Sequence, residues 1–140
     1  MTATASEAQI LDLLLARAAL MVTQGPTLPV DFPEVAFTAP VDGKYLECSH
    51  LPNRAFWEGL SDGTIDQGIF QVTVHWPRGK GEIAPLNVVG LIRDHFARGT
   101  NLYTTGLRLQ VYAKPWYSQP IPGTTDRQIP VSIPYRVFYT

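Results

Sequence analysis

The chain has 140 residues, room for one domain and little more. Hydrophobic residues make up 45% and charged residues 16%, enough apolar side chain for a core, which excludes disorder throughout. Eleven Lys and Arg balance twelve Asp and Glu, for a formal charge of -1 with no long run of either sign, which argues against nucleic acid or an anionic membrane as the main partner.

A charged fraction below the globular average of roughly a quarter also suits a surface that is partly buried against partners. The one cysteine, Cys48, rules out an intrachain disulfide and a multi-cysteine zinc site, and reads as a small buried apolar side chain. The N-terminus lacks the basic-then-apolar order of a signal peptide. No apolar run approaches the roughly 20 residues that a membrane span needs. The expectation is a protein made and assembled in the cytoplasm.

Residues 6–23 predict a helix. Ser6 and Gln9 have capping-box spacing. Leu11, Leu14, Leu15, Ala18 and Val22 repeat at helical period, while Asp12, Ala16, Ala19 and Thr23 form an opposite stripe. Gly25 and Pro26 stop the helix. Four prolines between Pro26 and Pro40 then predict an extended, irregular stretch anchored by Val30, Phe32, Val35 and Phe37, with any strand short or at an edge.

Lys44 to Leu51 predicts a strand, and so does Gly68 to Trp76, where Phe70, Val72, Val74 and Trp76 alternate with polar positions. The connection 52–67 holds turn residues and predicts a hairpin with a long arm. A second helix follows over Ile83 to Arg98, with Pro85 in its first turn and Val88, Val89, Ile92 and Phe96 on one side. Gly106 to Lys114 predicts a strand, 115–125 a second long loop, and Arg127 to Tyr139 the last strand. Pro130 and Pro134 are an even number apart, so both missing N–H groups fall on one side, which predicts an outer sheet edge. The fold class expected is α+β, with a mostly antiparallel sheet of about four main strands and two helices packed on one face. The whole of 1–140 reads as one domain.

Catalytic and metal chemistry find little support. His50, His75 and His95 lie on different elements, with no i, i+4 metal pair among them. His75 reads as a partly buried structural histidine among apolar residues. His95 ends a helix, where a cation is mildly favourable. Cys48 and His50 share a strand face, so a small thiol hydrolase is conceivable, but no third residue or oxyanion signal accompanies them. Gly79-Lys80-Gly81 lacks the first glycine and the Ser/Thr of a phosphate loop and reads as a solvated turn. No cofactor and no metal are expected.

Aromatic residues give a different signal. Phe56, Trp57 and Leu60 sit in one connection, and Trp116 and Tyr117 in the other. These residue types anchor protein interfaces. Arg54, Glu58, Asp62 and Asp66 supply a polar rim around the first group, and Arg78 and Lys80 complete the candidate interface set.

In order along the chain, Tyr45-Leu46-Glu47-Cys48-Ser49-His50-Leu51-Pro52-Asn53, Gln67-Gly68-Ile69-Phe70-Gln71-Val72, His95-Phe96-Ala97-Arg98-Gly99-Thr100 and Ile129-Pro130-Val131-Ser132-Ile133-Pro134-Tyr135-Arg136 resemble the phage tail terminator-like proteins. The resemblance spans nearly all of residues 41–140. It implies a structural virion protein, located in the tail or neck, that caps the tail tube and provides the surface for head-tail joining. It implies a hexameric ring, with the major tail tube protein and a head-completion or connector protein as partners. It implies no catalytic residue and no sequence-specific contact to nucleic acid, although DNA could thread the ring. Another neck component is the alternative within this class.

Overall fold

The computed structural model describes the backbone of residues 6–57, 64–119, 121–122 and 126–139, and the side chains of these except 6, 52–57, 64, 65, 121 and 122. Its frame is one curled sheet. Strand β1 is Val30–Asp31, β2 Tyr45–Trp57, β3 Thr64–Pro77, β4 Asn101–Thr104, β5 Leu107–Val111, β6 Trp116–Tyr117, β7 Ile121–Pro122 and β8 Asp126–Tyr139. The order across the sheet is β1-β2-β3-β8-β5-β4, with β6 and β7 pairing with β8 beyond the end of β5. β1 runs parallel to β2 and the other pairs are antiparallel, so the sheet is mixed and has more strands than the four or so expected. Short strands such as β1, β6 and β7, two residues each, leave no periodic trace in a sequence.

Alternation sorts the sheet into two faces. Leu46 and Cys48 of β2, Phe70, Val72, Val74 and Trp76 of β3, Leu107, Leu109 and Val111 of β5, and the odd-numbered residues Ile129 to Val137 of β8 are all buried on one face. Helices α1 (Ser6–Ala19) and α2 (Ile83–His95) cover that face. α1 buries Ile10, Leu14 and Ala18, and a 3-10 turn at Leu20–Val22 adds Met21. The expected apolar stripe is thus rotated by about one residue, and Val22 is exposed. Leu11 and Leu15 remain half-buried flanks, and the stripe of Asp12, Ala16, Ala19 and Thr23 faces solvent as expected. Gly25 then turns the chain with φ +59. In the following stretch Val30 is buried, Phe32 packs on the core and Phe37 meets the Tyr45 ring, but Val35 is exposed.

The two helices are tied by a reciprocal clasp. Arg17 donates from Nε (3.2 Å) and Nη2 (2.8 Å) to the carbonyl of His95, and His95 Nε2 donates to the carbonyl of Arg17 at 2.7 Å. The last carbonyls of a helix lack internal partners, and here a cation from the other helix serves one. His95 itself is not that cation. Burial pushes its imidazole below the usual range; the backbone bond to Arg17 pulls partly upward, and the Arg17 charge adds a smaller downward push. α2 ends at His95, short of the expected Arg98, and Gly99 at φ +92 sends its N–H to Val111 O at 2.7 Å.

Strand β8 corrects the expected sheet edge. It pairs with β3 from Pro77↔Asp126 to Asp66↔Val137, and with β5, β6 and β7 on its other side. The prolines therefore lie in an inner strand. Ser118 N–H donates to Pro130 O at 2.9 Å, and a strand residue sends its carbonyl and its N–H to the same side. The missing donors of Pro130 and Pro134 thus face β5, β6 and β7. Pro134 falls between the β5 register, which ends at Val111↔Tyr135, and the β6 register at Trp116↔Ser132. Pro130 falls between β6 and the β7 register at Ile121↔Gln128. The side that cannot carry a full ladder is filled by three broken pieces of the same chain.

The hairpin of β2 and β3 also differs from expectation. Pairing continues through Asn53↔Gln67, passes an irregularity, and resumes at Phe56↔Ile65 and Trp57↔Thr64. Most of the expected 52–67 connection is therefore paired ribbon. Pro52 and Asn53 read as loop signals, but a bulged edge strand tolerates both.

Sterics alone account for the glycine at position 68 of the ribbon. It lies opposite Tyr135 of β8 and Pro52 of β2. A Cβ at Gly68 would stand 2.6 Å from Tyr135 Oη, 2.9 Å from Cζ and 3.0 Å from Leu51 O. The missing side chain gives Tyr135 room to lie against β3, where its hydroxyl bonds with His50 Nε2. Burial holds His50 below its usual range and pushes Tyr135 up to about 12, so this pair stays neutral.

Two outcomes follow from these contacts. Gly68→Ala should cost about 1–3 kcal/mol, the range for overpacking a filled site, and lower the melting temperature by several degrees in circular dichroism. An unchanged melt would mean that Tyr135 moves aside freely. The depressed His95 pKa means the unfolded chain takes up a proton that the folded chain resists. That contribution is complete above the unfolded value of about 6.5 and is lost as pH falls through the lower folded value. His95→Gln, which keeps a donor for Arg17 O, should therefore flatten part of the stability loss as pH falls below about 6.5 in denaturant titrations.

Candidate functional site

The candidate interface residues do not share one face. Arg54, Phe56 and Trp57 lie on the far end of β2, where the backbone alone is described, and Glu58, Leu60 and Asp62 fall outside the described residues. Arg78 and Lys80 are exposed at the opposite end of β3, in a turn where Gly79 and Gly81 have φ +79 and +82. At a rise of about 3.4 Å per residue, the two groups stand roughly 40 Å apart along the strand. Trp116 and Tyr117 are each 45% exposed, so neither folds back as core. They also point to opposite faces. Trp116 pairs with Ser132 on the face without helices. Tyr117 lines a cleft with Pro85, Leu86, Arg127 and Ile129, beside the Arg127–Glu82 ion pair of 2.6 Å.

The residues considered for catalysis are held in structural roles. Cys48 and His50 do share the helix-covered face, as expected from their spacing. Burial, reinforced by Asp31 and Glu47, pushes the Cys48 thiol up to about 12, the opposite of what a nucleophile needs. His75 is buried as expected, but its surroundings are not apolar. It lies on the other face, with Nδ1 2.8 Å from Asp126 Oδ2 and Nε2 3.0 Å from Glu47 Oε1. The Tyr45 ring stacks on it at 4.3 Å. Both ring nitrogens meet carboxylate oxygens, so the contacts join β2, β3 and β8 through one side chain. Among the described residues no group of three or more His, Cys, Asp or Glu is placed to hold a metal ion.

The structure adds two surface features that sequence reasoning missed. Tyr103 of edge strand β4 is 68% exposed. A cleft beside the C-terminal half of α2 gathers Arg93 and Arg98 with Lys114 and Pro115 from the connection after β5. Asp94 is its one acidic lining residue. The Nε of Arg93 is buried and has no hydrogen-bond partner among the described residues. The sequence signal was weak. Basic residues near a helix end are ordinary dipole partners, and nothing in the chain pairs them with Lys114.

Comparison with known proteins decides the class. A family model described as phage tail terminator protein matches residues 9–135. This chain belongs to the phage tail terminator family. The same fold is seen in solved structures. One has a TM-score of 0.80 at 26% identity and covers 98% of this chain and 99% of its own. A second is a chain in the virion of a native gene transfer agent particle, with a TM-score of 0.56 at 18% identity, covering 91% of this chain and 90% of that one; it shows a shared fold. No curated protein sequence matches. The chain is thus a structural component of a phage tail by family, and its surface has to be read as a set of protein contacts.

Cys48 provides a direct check on that reading. Cys48→Ala should cost about 1 kcal/mol as a modest core truncation. In the native protein the thiol should resist alkylation at neutral pH and react only on unfolding. Rapid native labelling would reopen the case for a thiol enzyme.

Proposed function

We propose that this terminator-family protein ends the growth of the tail tube and offers a head-joining surface, acting as a six-membered ring assembled in the host cytoplasm. The family match over residues 9–135 carries the reading. The spread of exposed features agrees with it. A subunit in a capping ring must meet its two neighbours, the tube below and the connector above, which takes several separate surfaces rather than one patch. The exposed Arg78–Lys80 turn and the exposed Trp116 and Tyr117 supply such separate surfaces, and the paired β2–β3 backbone extends to Trp57 and Thr64 at the opposite end of β3 from that turn. The gene transfer agent chain of similar fold belongs to a virion, which suits a virion role here. The role proposed is non-catalytic, and the protonated Cys48 thiol supports that.

Electron microscopy of purified protein mixed with assembling tail tubes tests the proposal. Tubes should stop at uniform length with a ring at one end, and overlong tubes should appear without the protein. Association with the head-side connector alone, with tubes left growing, would instead assign the protein to another position in the neck. Trp116→Ala with Tyr117→Ala should leave the melting temperature within a degree or two, as for exposed positions, while weakening capping. A large fall in melting temperature would make these residues part of the fold instead.

A further inference from the structure

The two ends of the sheet carry opposite charge. Residues 26–49, which run through edge strand β1 into β2, hold four acids, Asp31, Glu34, Asp42 and Glu47, and one cation, Lys44. Residues 93–114, from the end of α2 through edge strand β4 to β5, hold four cations, Arg93, Arg98, Arg108 and Lys114, and one acid, Asp94. Their formal charges are thus -3 and +3, in a chain whose total is -1. Among the described residues no ion pair uses any of those four cations.

Each end has one shaped feature. On the acidic side the chain turns at 40–43, where Gly43 N–H donates to Pro40 O at 3.0 Å and Gly43 has φ +73. Val41 stands at the tip of this turn, 109% exposed. Asp42 beside it is also exposed, and its Oδ1 accepts from Lys44 N–H at 3.1 Å, which fixes the carboxylate and leaves Oδ2 available. The turn is a small knob with one apolar and one acidic side chain. On the basic side, the cleft beside α2 has the complementary chemistry. Arg93, Arg98 and Lys114 line it against Asp94, and Ala97 and Pro115 give it an apolar part. The helix dipole accounts for Arg93, in the last turn of α2, but not for Lys114, which arrives from another element. Arg93 Nε, buried without a partner among the described residues, costs stability until something accepts from it.

Knob and cleft do not meet within one copy. Tyr45, where the turn enters β2, is level with Gln128 of β8 through His75. Lys114 falls between the levels of Tyr135 and Ser132, on the other side of β8. About five residues along the strands and three strand spacings across them amount to roughly 20 Å. A surface at one edge that matches a surface at the other makes a head-to-tail contact between copies, the type that closes into rings.

We propose that the turn 40–43 of one copy seats in the α2 cleft of the next, with Val41 against Ala97 and Pro115 and Asp42 against the three cations. The proposal rests on the ring reading and names the contact between neighbours. Val41→Cys/Ala97→Cys tests it at two exposed positions, and Cys48 is buried. Oxidised at high concentration or on tail tubes, this protein should give a ladder of disulfide-linked oligomers on a non-reducing gel. Either cysteine alone should give dimers at most. Asp42→Arg and Arg98→Asp, each first shown to melt like the parent, should each cut the ladder by about tenfold or more, and the protein carrying both should regain it. No ladder in either setting would overturn the contact, even where the parent caps tubes normally. A ladder with tubes left uncapped would keep the contact and overturn the capping function. A ladder that neither reversal weakens would overturn the seating of Asp42, and loss of capping by Arg98→Asp in that case would assign the cleft to an acidic segment of another protein.

Discussion

The structure depends on the pairing of β3 with β8. These two strands exchange backbone contacts over twelve residue pairs, from Pro77↔Asp126 to Asp66↔Val137. Both are buried along one face, and helix α2 rests on them. Every fully buried apolar side chain on that face contributes roughly 1.5–3 kcal/mol relative to exposure. Register is therefore fixed by burial, because a one-residue slip would turn Phe70, Val72 and Val74 out to solvent. The pairing brings a residue near the end of the chain, Tyr135, against Gly68 and His50, closing the ribbon base.

Polar groups then do the fastening at three depths. His75 links carboxylates of β2 and β8 on the face without helices. The Arg17–His95 clasp joins α1 to α2 across the helical layer. The His50–Tyr135 bond sits between them, at the base of the ribbon. Each satisfies groups that would cost 1–3 kcal/mol or so if buried alone. None is arranged around a reactive atom, and Cys48, which could have been one, is protonated by its burial.

A structural protein of a phage tail needs surfaces more than it needs a site. Here the surfaces follow from topology. The long β2–β3 ribbon leaves on one side of the sheet, and the broken side of β8 on the other collects short strands and their connections. Those connections place Lys114, Trp116 and Tyr117 at the surface, because two-residue strands leave little neighbouring structure to cover them. The prolines of β8 cause the break, so the same residues that limit the ladder also create the exposed features.

The sequence by itself determined the elements with strong periods. The alternating apolar residues of β3, β5 and β8 and the 3.6-residue repeats of α1 and α2 are side-chain patterns, and burial on one face imposes them directly. Its ordered motifs also resembled the family to which the chain belongs. The sequence expectation of an edge at Pro130 and Pro134 identified the side that lacks donors but put nothing there. Whether a neighbour fills that side is a long-range question, answered only when β5, β6 and β7 return to it. The burial of His75 between Glu47 and Asp126, the room that Gly68 leaves for Tyr135, and the meeting of Arg98 with Lys114 belong to the same kind. Each joins segments distant in the chain, and no local spacing encodes a contact that only the closed sheet brings within reach.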